Sequence, residues 1–321
     1  MVVHPFGDES DGGHESERVD EGGKSELADE IAVLKLPTRD FCQTPLNLWF
    51  ADDCHVKHSA PVHCLASMMI LAAAAAVVLF GVDATDARRP YIEPIAIVER
   101  RGARLTFTQP DSREPKSFVR EYFGGKRYDV FSSGERVATA LAQSRVELSC
   151  ASLAAGVKLS NRLPYNLGLA ASGPLIEQHR DATREVTPAE QTAMIELLRN
   201  RLGIGANRET SFVAVDFDHD GRPEFVANGE VTMGRKQHQF LVIASEHRGR
   251  MHAQFVYDHR KDSDDDGDSA RMELFDQADL DADGVDEIIT RVHSHATWNW
   301  CILKRTRRSW KVVYTGGGGG C

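Results

Sequence analysis

Asp216-Phe217-Asp218-His219-Asp220-Gly221-Arg222-Pro223-Glu224 and Asp279-Leu280-Asp281-Ala282-Asp283-Gly284-Val285-Asp286-Glu287 share one frame, D-x-D-x-D-G-x-x-E, and begin 63 residues apart. Three carboxylates at alternate positions, a glycine and a fourth carboxylate are what a short loop needs to wrap a hard cation. Ca²⁺ takes about six to eight oxygens at about 2.3–2.6 Å, from carboxylates, carbonyls and water. The glycine at the sixth position lets the backbone turn through positive φ without a Cβ clash. Without a cation, carboxylates gathered this closely would repel one another.

The flanks decide what kind of loop this is. An EF-hand shares the first six positions but needs a bidentate Glu at position twelve and a helix on each side. Here position twelve is Ala227 in one loop and Thr290 in the other. Residues 211–215 and 224–227 border the first loop, and residues 272–275 and 287–290 the second. These short segments, rich in β-branched and aromatic residues, read as strands. The loops therefore join strand to strand.

A strand–Asp loop–strand unit of this kind resembles the FG-GAP and VCBS repeat families, in which blade-like β units carry an Asp-rich calcium loop between their first two strands. The resemblance covers about residues 210–315 and lacks a Phe-Gly … Gly-Ala-Pro signature. It implies Ca²⁺ as the cofactor and side-chain ligands at loop positions one, three, five and nine. Those are Asp216, Asp218, Asp220 and Glu224, then Asp279, Asp281, Asp283 and Glu287. Residues 239–243 and 254–257 extend the first unit, and residues 298–303 and 310–314 the second. Each unit (residues 210–259 and 271–315) thus offers four strands, an internal repeat whose neighbours bury each other's faces. A closed propeller takes about four to eight blades, so two units predict blade-like stacking without a complete ring.

Around this module the signals are simpler. Thr187-Pro188-Ala189-Glu190 is a capping box with proline at the first helical position. Met194, Leu197, Leu198 and Leu202 then form one apolar stripe, and Gly203 supplies the stop. That helix is expected to dock on the β units. Between the units, Asp262-Ser263-Asp264-Asp265-Asp266-Gly267-Asp268 repeats the first six positions but has Ala270 at position nine, and reads as a solvated acidic loop. Residues 88–180 read as a β-rich scaffold, with a hairpin of residues 94–98 and 103–108, a short helix over 117–123, and strands at 128–131, 136–139 and 145–148. Residues 171–186 read as a linker, and residues 187–321 as helix plus repeat units.

Net charge is −10 over 321 residues, but residues 1–63 hold 13 Asp/Glu against 5 Lys/Arg. The rest is near neutral, with no basic patch interleaved with aromatics, so nucleic acid is not an expected partner. The acidic, glycine-bearing start of residues 1–63 reads as largely disordered. Cys54, His55, His58, His63 and Cys64 match no closed zinc frame. Residues 64–82 carry no charge, a length that just reaches the spanning range. Residues 64–87 are therefore expected to be a membrane anchor or an export signal with a small-residue cleavage point at 82–84 or 85–87. Downstream cysteines are Cys150, Cys301 and Cys321; an exported chain could bridge Cys150 to Cys321, on the flexible tail of residues 316–320, leaving Cys301 as a small apolar residue.

Nucleophile-elbow, P-loop, dinucleotide-binding and H-E-x-x-H motifs do not occur. His293 and His295 would share one face of a strand and read as a polar sheet face. The expectation is a mainly β protein with two four-stranded, blade-like, propeller-type units, one packing helix and a hydrophobic signal or anchor. Its function is that of a non-catalytic, calcium-binding structural or adhesive module, secreted or single-pass anchored, with a protein or carbohydrate partner. Two alternatives stay open: a hydrolase or lyase on a propeller-like scaffold, and a membrane-tethered calcium-dependent sensor.

Overall fold

The protein is described by a computed structural model over residues 76–102, 104–110, 115–149, 152–180, 183–262, 270–294, 296–307 and 309–320. It is mainly β. The N-terminal part contains β1 (Val77–Asp83), β2 (Tyr91–Arg101), β3 (Arg104–Thr108), β4 (Arg127–Ser132), β5 (Glu135–Ser149), β6 (Ser152–Leu159) and β7 (Leu167–Ala171). Their order is β1-β7-β4-β5-β6-β2-β3, and β1 also pairs β2 antiparallel. Six strands therefore close on themselves as an antiparallel barrel, with β3 appended to β2. Closure leaves the ring itself without edges. Val78, Phe80, Val82, Ile92, Val130, Ala140 and Val157 fill the interior. The short helix α1 (Pro115–Phe118) and the π-helical turn Val119–Phe123 add Phe118 and Phe123 to that core.

The C-terminal part is a stack of two sheets. The first holds β8 (Arg184–Glu185), β9 (Ser211–Val215), β10 (Glu224–Met233), β11 (Lys236–His247) and β12 (Arg250–Asp262), in the order β12-β11-β10-β9-β8. The second holds β13 (Arg271–Ala278), β14 (Glu287–His293), β15 (Thr297–Thr306) and β16 (Ser309–Gly320), in sequential order. Period-two alternation sends successive side chains to opposite faces, and both faces of both sheets are buried. Along β11, Phe240, Val242 and Ala244 meet helix α2 (Pro188–Leu202), while Leu241 and Ile243 meet the second sheet. Along β15, Cys301 and Leu303 face the first sheet, while Trp300 and Ile302 face the barrel. The layers run helix, sheet, sheet, barrel.

Helix α2 follows its sequence closely. Thr187 caps the Glu190 N–H, the Glu190 carboxylate caps the Thr187 N–H, and Gly203 closes the helix in the left-handed region at φ 72°. Met194, Leu197, Leu198 and Leu202 are its buried face, against Phe225, Ala227 and Phe240.

Two expectations need correction. The end of the apolar run, Val77–Asp83, is barrel strand β1; residues 64–75 lie outside the described residues. Val78, Phe80 and Val82 point into the barrel and Val77 and Leu79 toward the second sheet, so β1 is apolar on both faces. A strand buried on both faces gives a continuous apolar run, which periodicity alone cannot tell from a spanning helix. Cleavage at residues 82–84 or 85–87 would remove β1, the strand that pairs both β2 and β7, and so does not agree with this fold. The glycine run is likewise strand rather than a free tail: Trp298 pairs Gly319 and Thr297 pairs Gly320. A Cβ on Gly317 would lie 2.6 Å from the Ile95 carbonyl oxygen, so only glycine fits there. Among the described residues no helix is long and apolar enough to cross a membrane.

The barrel meets the second sheet where β1 carries no side chain. A Cβ on Gly81 would stand 2.9 Å from Trp300 Cη2 and 3.3 Å from Phe275 Cζ. Trp300 is fully buried there, edge-on to Phe275 with centroids 4.7 Å apart. Gly81→Ala should therefore cost about 1–3 kcal/mol through overpacking. It should lower the urea midpoint with an unchanged m-value. An unchanged midpoint would mean that these layers do not pack as described.

Candidate metal centres

The two acidic loops occupy the same place in their sheets. Val215 pairs Glu224 across β9 and β10, and Ala278 pairs Glu287 across β13 and β14. Each loop is thus a strand-to-strand connection whose ninth residue opens the second strand. Residue two of each loop is a fully buried anchor, Phe217 between the two sheets and Leu280 between sheet and barrel.

Their internal hydrogen bonds repeat at four positions, and the second loop adds one from the Ala282 N–H to Asp279 at 2.7 Å. Asp216 accepts from the Asp220 N–H at 3.1 Å and the Gly221 N–H at 2.8 Å. Asp279 accepts from the Asp283 N–H at 3.2 Å and the Gly284 N–H at 2.9 Å. Glu224 accepts from Phe217 N–H at 3.2 Å, and Glu287 from Leu280 N–H at 2.9 Å. Both glycines are left-handed, with φ 83° and 85°, as the sixth position requires. The fourth position is left-handed too, at His219 (φ 54°) and Ala282 (φ 61°).

Three carboxylates of each loop converge, Asp216, Asp218 and Glu224 in one and Asp279, Asp281 and Glu287 in the other, with one oxygen from each within 4.8 Å of the others. The fifth residues are not members of these trios. Asp220 accepts from the Arg222 N–H and Asp283 from the Val285 N–H, the turn-forming bond of a short acidic side chain. At position three, Asp218 Oδ1 and Asp281 Oδ1 are both buried and accept no hydrogen bond. These acidic groups could hold a metal ion.

Consecutive residues of β15 supply the charge that balances them. Lys304 Nζ donates to Asp281 at 2.6 Å, Glu287 at 2.6 Å and Asp283 at 3.0 Å. Arg305 pairs with Asp218, and with Glu224 at 3.1 Å. Adjacent strand residues point to opposite faces, so one strand delivers one cation to each loop. Burial pushes the Glu287 carboxyl up to about 7 although Lys304 opposes it, and burial pushes Glu224 up to about 7 although Arg305 opposes it. Burial would lower the Lys304 ammonium, but its bonds to Asp281 and Glu287 prevail and raise it.

A third group escaped sequence reasoning: His179, His219 and Asp286 meet between the loops. His219 and Asp286 were visible as the fourth residue of one loop and the eighth of the other, but His179 sits in the linker with no local signal. Of the other sequence candidates, His293 hydrogen-bonds Arg291 on β14. Cys301 is a buried free thiol, packed among apolar residues as expected. His295, Cys150, Cys321, residues 263–269 of the third acidic loop and the Cys54–His63 group lie outside the described residues. A cleft of about 770 Å³ is lined by Glu121, Tyr122, Lys126, Tyr128 and Asp129, among others, and none of its lining residues belongs to the acidic loops. Comparison with protein-family models, with curated proteins and with solved structures finds no match.

Proposed function

We propose that the stacked sheets are a non-catalytic, calcium-binding β-repeat module of an exported protein, with a structural or adhesive role toward a protein or carbohydrate partner. The observation that carries this reading is duplicated: each loop gathers three carboxylates and leaves the Oδ1 of its third residue, Asp218 or Asp281, buried without a donor. A buried acceptor left unsatisfied costs about 1–3 kcal/mol, and a hard cation answers that need with the oxygen ligands it prefers. Lys304 and Arg305 supply one positive charge per loop, and Ca²⁺ would supply two. The ions then make the β9–β10 and β13–β14 connections rigid.

Because Ca²⁺ competes with built-in cations, its affinity belongs in the weak range of extracellular modules, about 10⁻⁴–10⁻³ M. That favours an exported location. With β1 beginning at Val77, the apolar stretch before it is shorter than a spanning helix needs and suits a signal's apolar core. Mass spectrometry of the secreted chain should find a start close before Val77; a start beyond Asp83 would contradict this.

Thermal unfolding of the full chain in EGTA and in millimolar Ca²⁺ tests the loops. A ligand that binds only the native state stabilises by about 1.4 kcal/mol per site at the tenfold excess that millimolar Ca²⁺ gives over a Kd of about 10⁻⁴ M. The shift should vanish in Asp218→Asn/Asp281→Asn. No shift in the unaltered chain would leave the loops as acidic turns balanced by Lys304 and Arg305 alone.

A further inference from the structure

Beside the two oxygen-only clusters lies a nitrogen-bearing one, and we propose that His179, His219 and Asp286 bind a borderline transition-metal ion, Zn²⁺, distinct from the calcium loops. His179 Nε2 stands 3.2 Å from Asp286 Oδ2, and His219 Nε2 stands 3.6 Å from Asp286 Oδ1. Tetrahedral zinc with bonds of about 2.0–2.1 Å places neighbouring ligand atoms about 3.3 Å apart. The two separations run to different oxygens of the one carboxylate, but one ligand atom from each of the three residues lies within 4.8 Å of the others, so small side-chain movements would seat an ion.

Asp286 is the second, independent sign. It is 1% exposed, yet its Oδ1 accepts no hydrogen bond. His219 Nε2, at 3.6 Å, stays beyond bonding range, and the two imidazole rings crowd the same carboxylate with centroids 4.3 Å apart. Two imidazolium ions that close would repel, whereas two neutral imidazoles and one carboxylate are a donor set that suits zinc. Calcium, which takes oxygen, does not fit it. The His179 and His219 side chains are 19% and 31% exposed, so the fourth coordination position faces solvent, where water completes it.

The ligands come from three separate segments, tied to one another and to the barrel by backbone bonds. The Asp286 N–H donates to the Phe217 carbonyl at 2.8 Å, tying the second loop to the first. His219 sits in the left-handed region at φ 54°, with its side chain 3.6 Å from Asp286. In the linker, the Glu177 N–H donates to the Asp279 carbonyl at 3.2 Å and the His179 N–H to the Gly134 carbonyl at 3.1 Å. The His179 side chain also hydrogen-bonds the Glu177 backbone, the kind of outer partner that orients a metal-binding imidazole. Its ring lies directly over Gly134, where a Cβ would sit 2.0 Å from Nε2. One ion would thus fasten the linker, the barrel's β4–β5 turn and both acidic loops.

The test uses the full chain, stripped with a chelator and held in saturating Ca²⁺ to occupy the oxygen sites. Zn²⁺ is titrated by calorimetry, and Co²⁺ is used as the spectroscopic probe. The unaltered chain should take up one more equivalent of Zn²⁺ than His179→Ala/His219→Ala, and should show tetrahedral Co²⁺ absorption that the double variant loses. His219→Ala alone, on an exposed loop, should weaken Zn²⁺ at least tenfold; circular dichroism verifies its fold. Asp218→Asn/Asp281→Asn should retain the zinc equivalent while losing calcium stabilisation, which separates this site from the loops. Equal Zn²⁺ stoichiometry in the unaltered chain and the folded histidine variants would overturn the proposal.

Discussion

Lys304→Met is expected to unfold far more easily than the unaltered chain in EGTA and to regain most of that loss in millimolar Ca²⁺. The Lys304 ammonium touches three carboxylates, and the Asp281 and Glu287 side chains are 0% and 1% exposed. Removing one member of a buried ionic cluster leaves uncompensated charge, typically at a cost of about 3–5 kcal/mol. Methionine keeps much of the stem's volume, so the loss is electrostatic rather than a packing defect. A divalent ion between Asp279, Asp281 and Glu287 restores the missing charge, and no ammonium then has to leave first. Apparent Ca²⁺ affinity should accordingly rise at least tenfold, equivalent to about 1.4 kcal/mol. Arg305→Met should behave alike but more weakly, since Asp218 is 20% exposed and water shares its charge. Equal destabilisation of Lys304→Met with and without Ca²⁺ would show that the second loop takes only the ammonium.

The reason the loops could be read from sequence is that they are local. Nine consecutive residues contain the acidic acceptors, the left-handed glycine and the anchor at position two, and the repeat at residue 279 fixes the frame. Helix α2 was legible for the same reason, because cap, stripe and stop lie within seventeen residues of Thr187–Gly203. What sequence could not give depends on contacts between distant segments. Lys304 and Arg305 lie 23 and 87 residues from the carboxylates that they meet. β1 read as a membrane segment because burial on both faces erases the alternation that betrays a strand. The β6 and β7 strands were missed altogether, β7 being only Leu, Gly and Ala and β6 largely Ala, Gly and Leu with a single β-branched residue, Val157, so both have little β propensity; barrel closure, not local preference, makes them strands. His179 belongs to the linker and gains meaning only through Asp286, 107 positions away.

The same interlayer packing predicts a pH effect far from any loop. Glu93 on β2 is 3% exposed, and its Oε1 has no hydrogen-bond partner. Arg291 of β14, Asp83 of β1, Tyr91 of β2 and Trp298 of β15 surround it. Burial pushes its carboxyl up to about 7, and the attraction of Arg291 offsets only part of that. Arg291 already has a buried partner in Asp83 at 3.1 Å. A carboxyl whose folded pKa exceeds its unfolded value of 4.5 contributes stability that is complete below 4.5 and is lost as pH rises through 7. Glu93→Gln keeps the shape and cannot ionise. It should match the unaltered chain near pH 4.5 and exceed it at pH 8 by on the order of 3 kcal/mol, the equivalent of the shift at about 1.36 kcal/mol per unit. Urea unfolding from pH 4.5 to 8.5 at saturating Ca²⁺ measures this, and the difference between the two curves cancels the loop carboxylates common to both. Parallel curves would mean that Glu93 is ionised throughout; a less stable Glu93→Gln at pH 8 would mean that its pairing with Arg291 outweighs its burial.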